Sequence, residues 1–425
     1  PDTDFNKSRD SFQACVEQIY ADVDAAIELL PLSYKDLTDN NDLPAKYKEF
    51  ENANYVDYNT VFGLRKSGLM NGLICKTIKA QTALLAASPA FAAGTEVTYE
   101  EAANLAADVL AFVGGVSGMD PKGHLWYMQK AEIDGLGSGA NPKEIIWRGN
   151  KNKGTEDYAF GLSQELDNFP PTLYGNGRIN PTQNFVDAFP MANGYPIAAT
   201  GSGYSANDPY AGRDPRLSEY VMYNGTVYRD TEIITGSYSA DDNGLNKVAA
   251  STRTGYYLRK LLRDDCDPNS TTQLAQYHYP VYMRFTEIFL AYAEAANEAW
   301  GPRGAGANGY SAYDVIKAIR QRAGIGSNGS DPYLETCAGN PEMMRELIRN
   351  ERRIELSFEN KRFWDLRRWK LDLNEPVKGM DVTQVAGTLK YNVIDVENRN
   401  YKDYMYYGPI PDGEVQKWSN LDQNT

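Results

Sequence analysis

One charged segment constrains the fold of this chain more than any other part of it. The segment covers residues 348–370 and reads IRNERRIELSFENKRFWDLRRWK. Apolar residues in and before it keep helical spacing and predict a stripe that faces a core: Met344, Leu347, Ile348, Ile354 and Phe358. Glu351 lies on that stripe. Glu355 and Glu359 follow at steps of four residues, a spacing at which like charges repel unless cations neutralise them.

Five arginines that follow Glu351 in the same segment can supply those cations: Arg352, Arg353, Arg362, Arg367 and Arg368. Because an unpaired carboxylate on a core face is costly, the pattern predicts a partly buried network of arginines and carboxylates. We assign six residues to this structural network: Glu351, Arg352, Glu355, Arg362, Asp365 and Arg367. Two of the glutamates could instead be the acid and base of a glycosidase. The arginines favour the structural role, because they depress the pKa of a carboxyl group that a general acid needs raised.

Composition limits the classes of protein and of partner. The chain has 425 residues, of which 42% are hydrophobic and 24% are charged, so it has the material for a large core. Its net charge of −14 argues against nucleic acid or an anionic membrane surface as a partner. The sequence shows no apolar run of membrane-spanning length and no signal peptide, so we expect any membrane attachment to come from a segment outside this chain.

Metal and cofactor sites are not expected. The four cysteines show no C-x-x-C spacing, and their disulfide state stays open: Cys15, Cys75, Cys266 and Cys337. His124 and His278 are the only histidines in the sequence. Residues 265–269 begin like a calcium loop but lack its later glycine and glutamate, which makes calcium binding there an unfavoured alternative. Residues 304–309 fit G-x-G-x-x-G, but they follow a predicted helix rather than a strand, so they indicate a turn.

The hydrophobic pattern divides the chain into three parts. Residues 1–113 carry helical periodicity at 12–30, 70–85 and 99–113, and form an N-terminal helical part that is truncated at its start. Residues 114–280 are rich in Gly, Pro, Asn and Tyr, and predict a loop-built, ligand-binding surface with short strands. Helices return in 281–425. We therefore predict a mainly α fold, with a scaffold of tetratricopeptide-type helix pairs and one large loop-rich region, in one compact unit.

The charged segment resembles the C-terminal signature of the SusD/RagB family, in which ER-x-x-EL-x-FE precedes R-x-x-DLRRW. Glu351, Arg352, Glu355, Asp365 and Trp369 stand at matching positions, among others. Further stretches resemble family landmarks in the family's order: VEQIYADVDAAIELLP (16–31), NPKEIIW (141–147), GRDPRL (212–217), TGYYLRK (254–260), RFTEIFLAYAEAANE (284–298), IRQRAG (319–324) and YYGPIPDGEV (406–415). The resemblance covers essentially the whole chain, with an insertion-like departure at Lys143.

This resemblance implies a SusD-like fold and a non-catalytic role. Members of the family are cell-surface, nutrient-binding lipoproteins of the outer membrane of Bacteroidetes, which deliver glycans to a TonB-dependent, SusC-like transporter. Members also carry a lipoprotein signal and a helical segment before the first helix found here, so we expect the lipidated cysteine to lie outside this chain. Two other functions stay open: a secreted glycoside hydrolase, and a tetratricopeptide-like scaffold that binds a partner peptide.

Aromatic side chains in the loop-rich region are the candidates for ligand binding. Sugars present flat C–H faces that a tyrosine or tryptophan ring can cover, while nearby polar groups bind the hydroxyls. We select seven candidates: Trp126, Tyr127, Tyr158, Tyr174, Asn176, Arg178 and Tyr204. Any one of these rings could equally be a packing residue, so the prediction concerns the set.

Overall fold

The computed structural model describes residues 8–137, 139–154, 161–326 and 329–424. The α-helices in these ranges are α1 (Phe12–Leu29), α2 (Ala45–Lys48), α3 (Tyr55–Phe62), α4 (Gly72–Ala87), α5 (Tyr99–Leu110), α6 (Lys130–Gly135), α7 (Ser163–Asn168), α8 (Gln183–Ala188), α9 (Arg216–Tyr220), α10 (Phe285–Trp300), α11 (Ala312–Arg322), α12 (Pro332–Cys337), α13 (Pro341–Glu355), α14 (Arg362–Arg368) and α15 (Asp412–Lys417). Short 3₁₀ helices cover Asn40–Asp42, Leu64–Lys66, Ala92–Gly94, Ala111–Val113, Gly115–Gly118, Gly123–Met128, Pro171–Leu173 and Asp403–Tyr406.

The strands are β1 (Ile145–Arg148), β2 (Val221–Met222), β3 (Thr226–Tyr228), β4 (Thr231–Ile233), β5 (Tyr257–Leu258), β6 (Val281–Arg284), β7 (Val377–Val385) and β8 (Thr388–Glu397). Within the described ranges they form four antiparallel pairs: β1 with β6, β2 with β5, β3 with β4, and β7 with β8. Most of the chain is therefore helix and loop. This confirms the prediction of a mainly α fold with short strands in a loop-rich region.

Helix α10 lies at the centre of the largest core, packed against α4, α5, α11 and α13. Its neighbours α4 and α5 present buried alanines such as Ala83 and Ala103, and small side chains let helix axes approach closely. Asn71 and Thr98 cap the first turns of α4 and α5 through their side-chain oxygens. Helices from the N-terminal and C-terminal parts of the chain thus share one core.

Two stretches differ from the secondary structure that the sequence pattern indicated. The segment between the helical stretches 12–30 and 70–85 contains two further helices, α2 and α3, which contribute Tyr47 and Tyr58 to a small buried cluster. The hairpin of β7 and β8 lies in a region predicted as helical, although its alternating apolar residues place Met380 and Val382 in a buried cluster.

The charged segment is also not one continuous helix. Helix α13 ends at Glu355, and the chain turns through left-handed backbone at Phe358 (φ 61°) and Asn360 (φ 60°). Glu359 therefore leaves the face on which four-residue spacing had placed it.

Glu351 and Glu355 are fully buried, and their partners come from elsewhere in the chain. Arg216 Nη1 lies 2.9 Å from Glu351 Oε2 and 2.8 Å from Glu355 Oε1. Arg320 pairs with Glu351 at 2.7 Å, and Arg322 pairs with Glu355 at 2.8 Å. We call these five residues the ionic core. Since Arg216 belongs to the loop-rich region and the other two arginines to α11, the ionic core fixes that region onto the helices.

The arginines of the charged segment have other positions. Arg352 and Arg368 share the carboxylate of Asp365, each with a nitrogen–oxygen distance of 2.9 Å, and Arg368 also pairs with Glu294. Arg367 stacks on the Phe363 ring, with its guanidinium carbon 3.5 Å from the ring centroid. Neither Arg362 nor Arg367 has a carboxylate within 4.0 Å among the residues that the structure describes.

His124 lies beside the ionic core, and its carbonyl oxygen accepts a hydrogen bond from Tyr220. Burial lowers the pKa of its imidazole to about 4; the negative charge of Glu355 opposes this shift, and the positive charge of Arg322 reinforces it. The folded protein thus holds His124 neutral at pH values where an unfolded histidine is protonated.

No single helix in the described ranges is long and apolar enough to cross a membrane. Residues 99–113 and 115–128, which form a bent pair of helical segments, reach that length and apolar character only when they are taken together.

The ionic core yields a stability prediction. Replacing Glu351 by alanine leaves two buried guanidinium groups without that carboxylate, so the free energy of unfolding should fall by about 3 kcal/mol or more. Urea unfolding measures the change. The control is Glu346→Ala on the same helix, which removes an exposed pair with Arg349 and should cost about 1 kcal/mol or less. Equal losses in the two variants would contradict the central role of the ionic core.

His124 yields a pH prediction. A histidine whose pKa is lower in the folded state stabilises the fold above its unfolded pKa of about 6.5, and this contribution is lost as the pH falls toward 4. Between pH 7 and pH 5 the loss amounts to about 2 kcal/mol. Glutamine does not titrate, so the His124→Gln variant should lack this loss. Its free energy of unfolding should therefore fall by about 2 kcal/mol less than that of the wild type between pH 7 and pH 5. An unchanged pH dependence would disprove the assignment.

Candidate functional site

A cavity of about 430 Å³ opens where the loop-rich region meets the turn in the middle of the charged segment. We call it the aromatic pocket. Its lining residues are Trp126, Tyr127, Ile133, Gln164, Ile179, Leu258, Leu261, His278, Tyr279, Pro280, Val281, Tyr282, Phe358, Glu359 and Asn360. The volume is in the range of small-molecule sites, and the lining combines apolar rings with a few polar groups, as such sites usually do.

The rings of the pocket are held by secondary structure on two sides. Trp126 lies on the 3₁₀ helix Gly123–Met128, and its ring centroid is 5.5 Å from that of Tyr279. Tyr279 directly precedes β6, which pairs with β1. Tyr282 on β6 contacts Trp147 edge to face, with a centroid distance of 4.9 Å, and is 49% exposed. The pocket therefore has buried rings inside and an accessible ring at its mouth.

Two polar atoms of the lining are buried and have no partner within the described residues: Trp126 Nε1 and Tyr279 Oη. Burial raises the pKa of Tyr279, so its hydroxyl keeps its proton at neutral pH. A buried donor without an acceptor costs about 1–3 kcal/mol, and a bound hydroxyl group can recover part of that cost.

Glu359 is the one acidic residue in the lining as described, and two cations neutralise it. Arg284 Nε and Lys260 Nζ each lie 2.7 Å from one of its carboxylate oxygens. Although burial opposes ionisation, these charges hold the pKa of Glu359 below its usual value. Burial also lowers the pKa of Lys260 to about 8. Glu359 is thus a poor proton donor, and its ionised carboxylate acts as a hydrogen-bond acceptor held in one position.

The backbone of the pocket wall is unusual. Leu261, Phe358 and Asn360 have φ values of 71°, 61° and 60°, in the left-handed region that non-glycine residues seldom adopt. Surrounding contacts hold this conformation, including the edge-to-face packing of Phe358 on Phe185 at 5.3 Å. Residues with this backbone conformation occur more often at ligand sites than elsewhere.

Of the seven sequence candidates, Trp126 and Tyr127 line the aromatic pocket. Both are largely buried, and the Tyr127 hydroxyl donates to the Glu219 carbonyl at 3.3 Å. Their packing with Ile133 and Tyr279 makes them part of a local core as well as of the cavity wall.

Three other candidates lie on one exposed loop. Tyr174 is 58% exposed with a left-handed φ of 64°. Asn176 and Arg178 follow it, both exposed, and Arg178 pairs with Asp167 at 3.1 Å. The loop reaches the aromatic pocket only through the next residue, Ile179.

The last two candidates are away from this cavity lining. Tyr204 is half-buried, with the guanidinium carbon of Arg213 5.5 Å from its ring centroid. Tyr158 lies outside the described residues.

Sequence reasoning missed Tyr279, Tyr282 and the Phe358–Asn360 turn. One signal was available for the first two: segment 277–282 carries three tyrosines around a proline, just before a strongly helical stretch. No local signal marks the turn, because Phe358 fits the helical spacing of the residues before it.

Comparison with known proteins identifies relatives of the chain. The family model of the SusD family matches residues 143–425. A SusD-like protein P2 of Formosa agariphila is 32% identical over 142 residues, which cover 33% of this chain and 24% of that protein. A SusD-like protein P25 of the same organism is 26% identical over 288 residues, which cover 64% of this chain and 46% of that protein. The chain thus matches less than half the length of each of these relatives.

Solved structures share the fold. A SusD-like protein from Bacteroides fragilis is 24% identical, with a TM-score of 0.67, over 99% of this chain and 72% of that one. A SusD-like carbohydrate binding protein from the same species is 20% identical, with a TM-score of 0.66, over 98% of this chain and 72% of that one. The family model covers most of the chain and the structural likeness nearly all of it, which confirms the resemblance found in the sequence: this chain belongs to the SusD family.

Proposed function

We propose that the chain is a non-catalytic protein that binds a neutral oligosaccharide or polysaccharide in the aromatic pocket. The observation that supports this most is the composition of the pocket, in which tryptophan and tyrosine rings adjoin buried polar atoms that have no partner among the residues with described positions. A sugar needs both features, since its C–H faces pack on rings and its hydroxyls exchange hydrogen bonds. Family membership adds support, because one structural relative is described as a carbohydrate binding protein.

The pocket has little to offer a hydrolase. Glycoside hydrolysis uses two carboxyl groups, one of them with a raised pKa. The described lining has Glu359 alone, and Arg284 and Lys260 hold its pKa low. Glu351 and Glu355, the pair that the sequence offered for catalysis, are fully buried and paired with arginines. These contacts support a binding role.

We further propose where the protein acts and with what partner. Family membership supports a surface-exposed lipoprotein of the outer membrane, with a lipid anchor outside this chain, that delivers its glycan to a TonB-dependent, SusC-like transporter. The division into an N-terminal helical part, a ligand-binding loop region and a C-terminal signature part stays a prediction.

The location of the site can be tested with two accessible tyrosines. Tyr282→Ala should weaken binding of an oligosaccharide selected on a glycan array by about tenfold, because ring stacking contributes about 0.5–1.5 kcal/mol beyond area burial. Titration calorimetry measures the affinity. The matched control is Tyr174→Ala, since Tyr174 is similarly exposed and lies outside the pocket lining. Both variants should keep the melting temperature of the wild type.

The opposite effects of the two substitutions would place the ligand-binding site elsewhere. If Tyr174→Ala abolished binding and Tyr282→Ala did not, the ligand would bind at the Tyr174–Arg178 loop instead. Affinity should also change little with salt, since a neutral sugar makes no ion pair to screen. Steep salt dependence would contradict a neutral ligand.

Absence of catalysis has its own test. Wild-type protein incubated with plant, host and microbial glycans should release no reducing ends, because the one described carboxyl group of the pocket is held ionised. Glu359→Gln serves as the control for any activity seen. Turnover that this substitution abolishes would overturn the binding role.

A further inference from the structure

Three potential metal ligands meet beside the aromatic pocket. One ligand atom each from Glu165, Cys266 and His278 lies within 4.8 Å of the other two. Glu165 and Cys266 are fully buried, and His278 is 9% exposed. Glu165 comes from α7, while the other two lie in the loop before β6. Their wide separation in sequence explains why cysteine spacing gave no sign of them.

The hydrogen bonds of this cluster are incomplete. His278 Nδ1 lies 3.0 Å from the Gln276 carbonyl oxygen, and Nε2 lies 3.1 Å from Glu165 Oε1. Both neighbours are acceptors, and a neutral imidazole has only one N–H to donate. Glu165 Oε2 is buried without a partner among the described residues. A cation bound to Nε2 and to the Glu165 carboxylate would lie between the two acceptors and balance the buried negative charge.

The position of the His278 ring relative to the Glu165 carboxylate fits zinc. If Nδ1 carries the proton and donates to Gln276, Nε2 has its lone pair free, which is the usual arrangement of a metal-bound histidine. Zinc binds imidazole nitrogen and carboxylate oxygen at about 2.0–2.2 Å, so tetrahedral angles place these atoms about 3.3 Å apart. The observed Nε2–Oε1 distance is 3.1 Å.

The charges and ligand types also fit. One thiolate and one carboxylate cancel the two positive charges of Zn²⁺, which leaves a neutral centre suited to a buried position. A soft thiolate with imidazole excludes calcium and magnesium, which prefer oxygen ligands. As a free thiol, Cys266 donates only weakly to the Gly161 carbonyl oxygen, with an Sγ–O distance of 3.7 Å.

We propose that Glu165, Cys266 and His278 form a zinc site. The ion would join α7 to the loop before β6 and so brace one wall of the aromatic pocket, where His278 and Gln164 lie. Three protein ligands leave the fourth position to a water molecule or a backbone carbonyl. This proposal stands whether or not the pocket binds glycan.

Metal binding by the wild-type chain is the direct test. Protein stripped with a chelator, then dialysed against zinc and metal-free buffer in turn, should retain one zinc per chain and show a higher melting temperature. Cobalt in place of zinc should give the near-ultraviolet charge-transfer absorption of a cobalt–thiolate bond. These measurements need no substitution, so a variant that fails to fold cannot obscure the result.

Substitutions assign the ligands. Cys266→Ala should lose the cobalt–thiolate absorption, and His278→Gln should lose stoichiometric zinc. Cys337→Ala is the matched control, because Cys337 is equally buried but lies outside the cluster, and it should keep both properties. The proposal is overturned if the wild type retains no zinc. It also fails if the cobalt adduct lacks the thiolate absorption or keeps it in Cys266→Ala.

Discussion

Burial of Glu351 and Glu355 is the constraint on which the rest of this structure depends. Two carboxylates removed from water on one helix face would be strongly destabilising unless cations reach both of them. The cations come from two distant places, since Arg216 belongs to α9 and Arg320 and Arg322 belong to α11. All these pairs form only when the loop-rich region, α11 and α13 are brought together. The ionic core thus specifies how the parts of the chain fit together, more than it adds net stability.

The same constraint shapes the aromatic pocket. Lys260 and Arg284 both donate to the Glu355 carbonyl oxygen, each at 2.7 Å, and both also hold the carboxylate of Glu359. Glu359 follows Phe358 in the left-handed turn that forms one wall of the cavity. Charged contacts that close the end of α13 therefore fix a wall several residues further on. A wall held in this way reduces the entropy cost of ordering the site when a ligand binds.

Sequence reasoning succeeded where a local pattern carries the information. Apolar periodicity predicted α1, α4, α10 and α11, and ordered motifs identified the family. It failed where the information is long-range. The spacing of Glu351 and Glu355 indicates that they need cations, but it cannot show that one of these is 135 positions away and the other two lie on the separate helix α11. The nearest arginines were therefore assigned instead. Glu359 was misplaced because helical spacing continues through Phe358 although the helix does not. The β7 strand shows alternation of apolar and polar residues, which is typical of a strand. It was overlooked because the segments before it are helical.

Loop aromatics show most clearly what only the three-dimensional structure can add. In sequence, Trp126 and Tyr174 are equivalent candidates, each an aromatic residue of the loop-rich region. In the structure, Tyr174 is exposed on a loop, while Trp126 is buried on a cavity wall and its Nε1 has no hydrogen-bond partner in the described part of the chain. Unpartnered buried atoms are costly, so a fold that retains several of them in one place points to groups that bind there. Trp126 Nε1 and Tyr279 Oη belong to the aromatic pocket, and Glu165 Oε2 belongs to the adjoining cluster. A bound glycan would satisfy the first two atoms, and a zinc ion would balance the charge of the carboxylate that carries the third. His278 lies on both the pocket wall and the cluster, so it is the residue through which one ligand would affect the other.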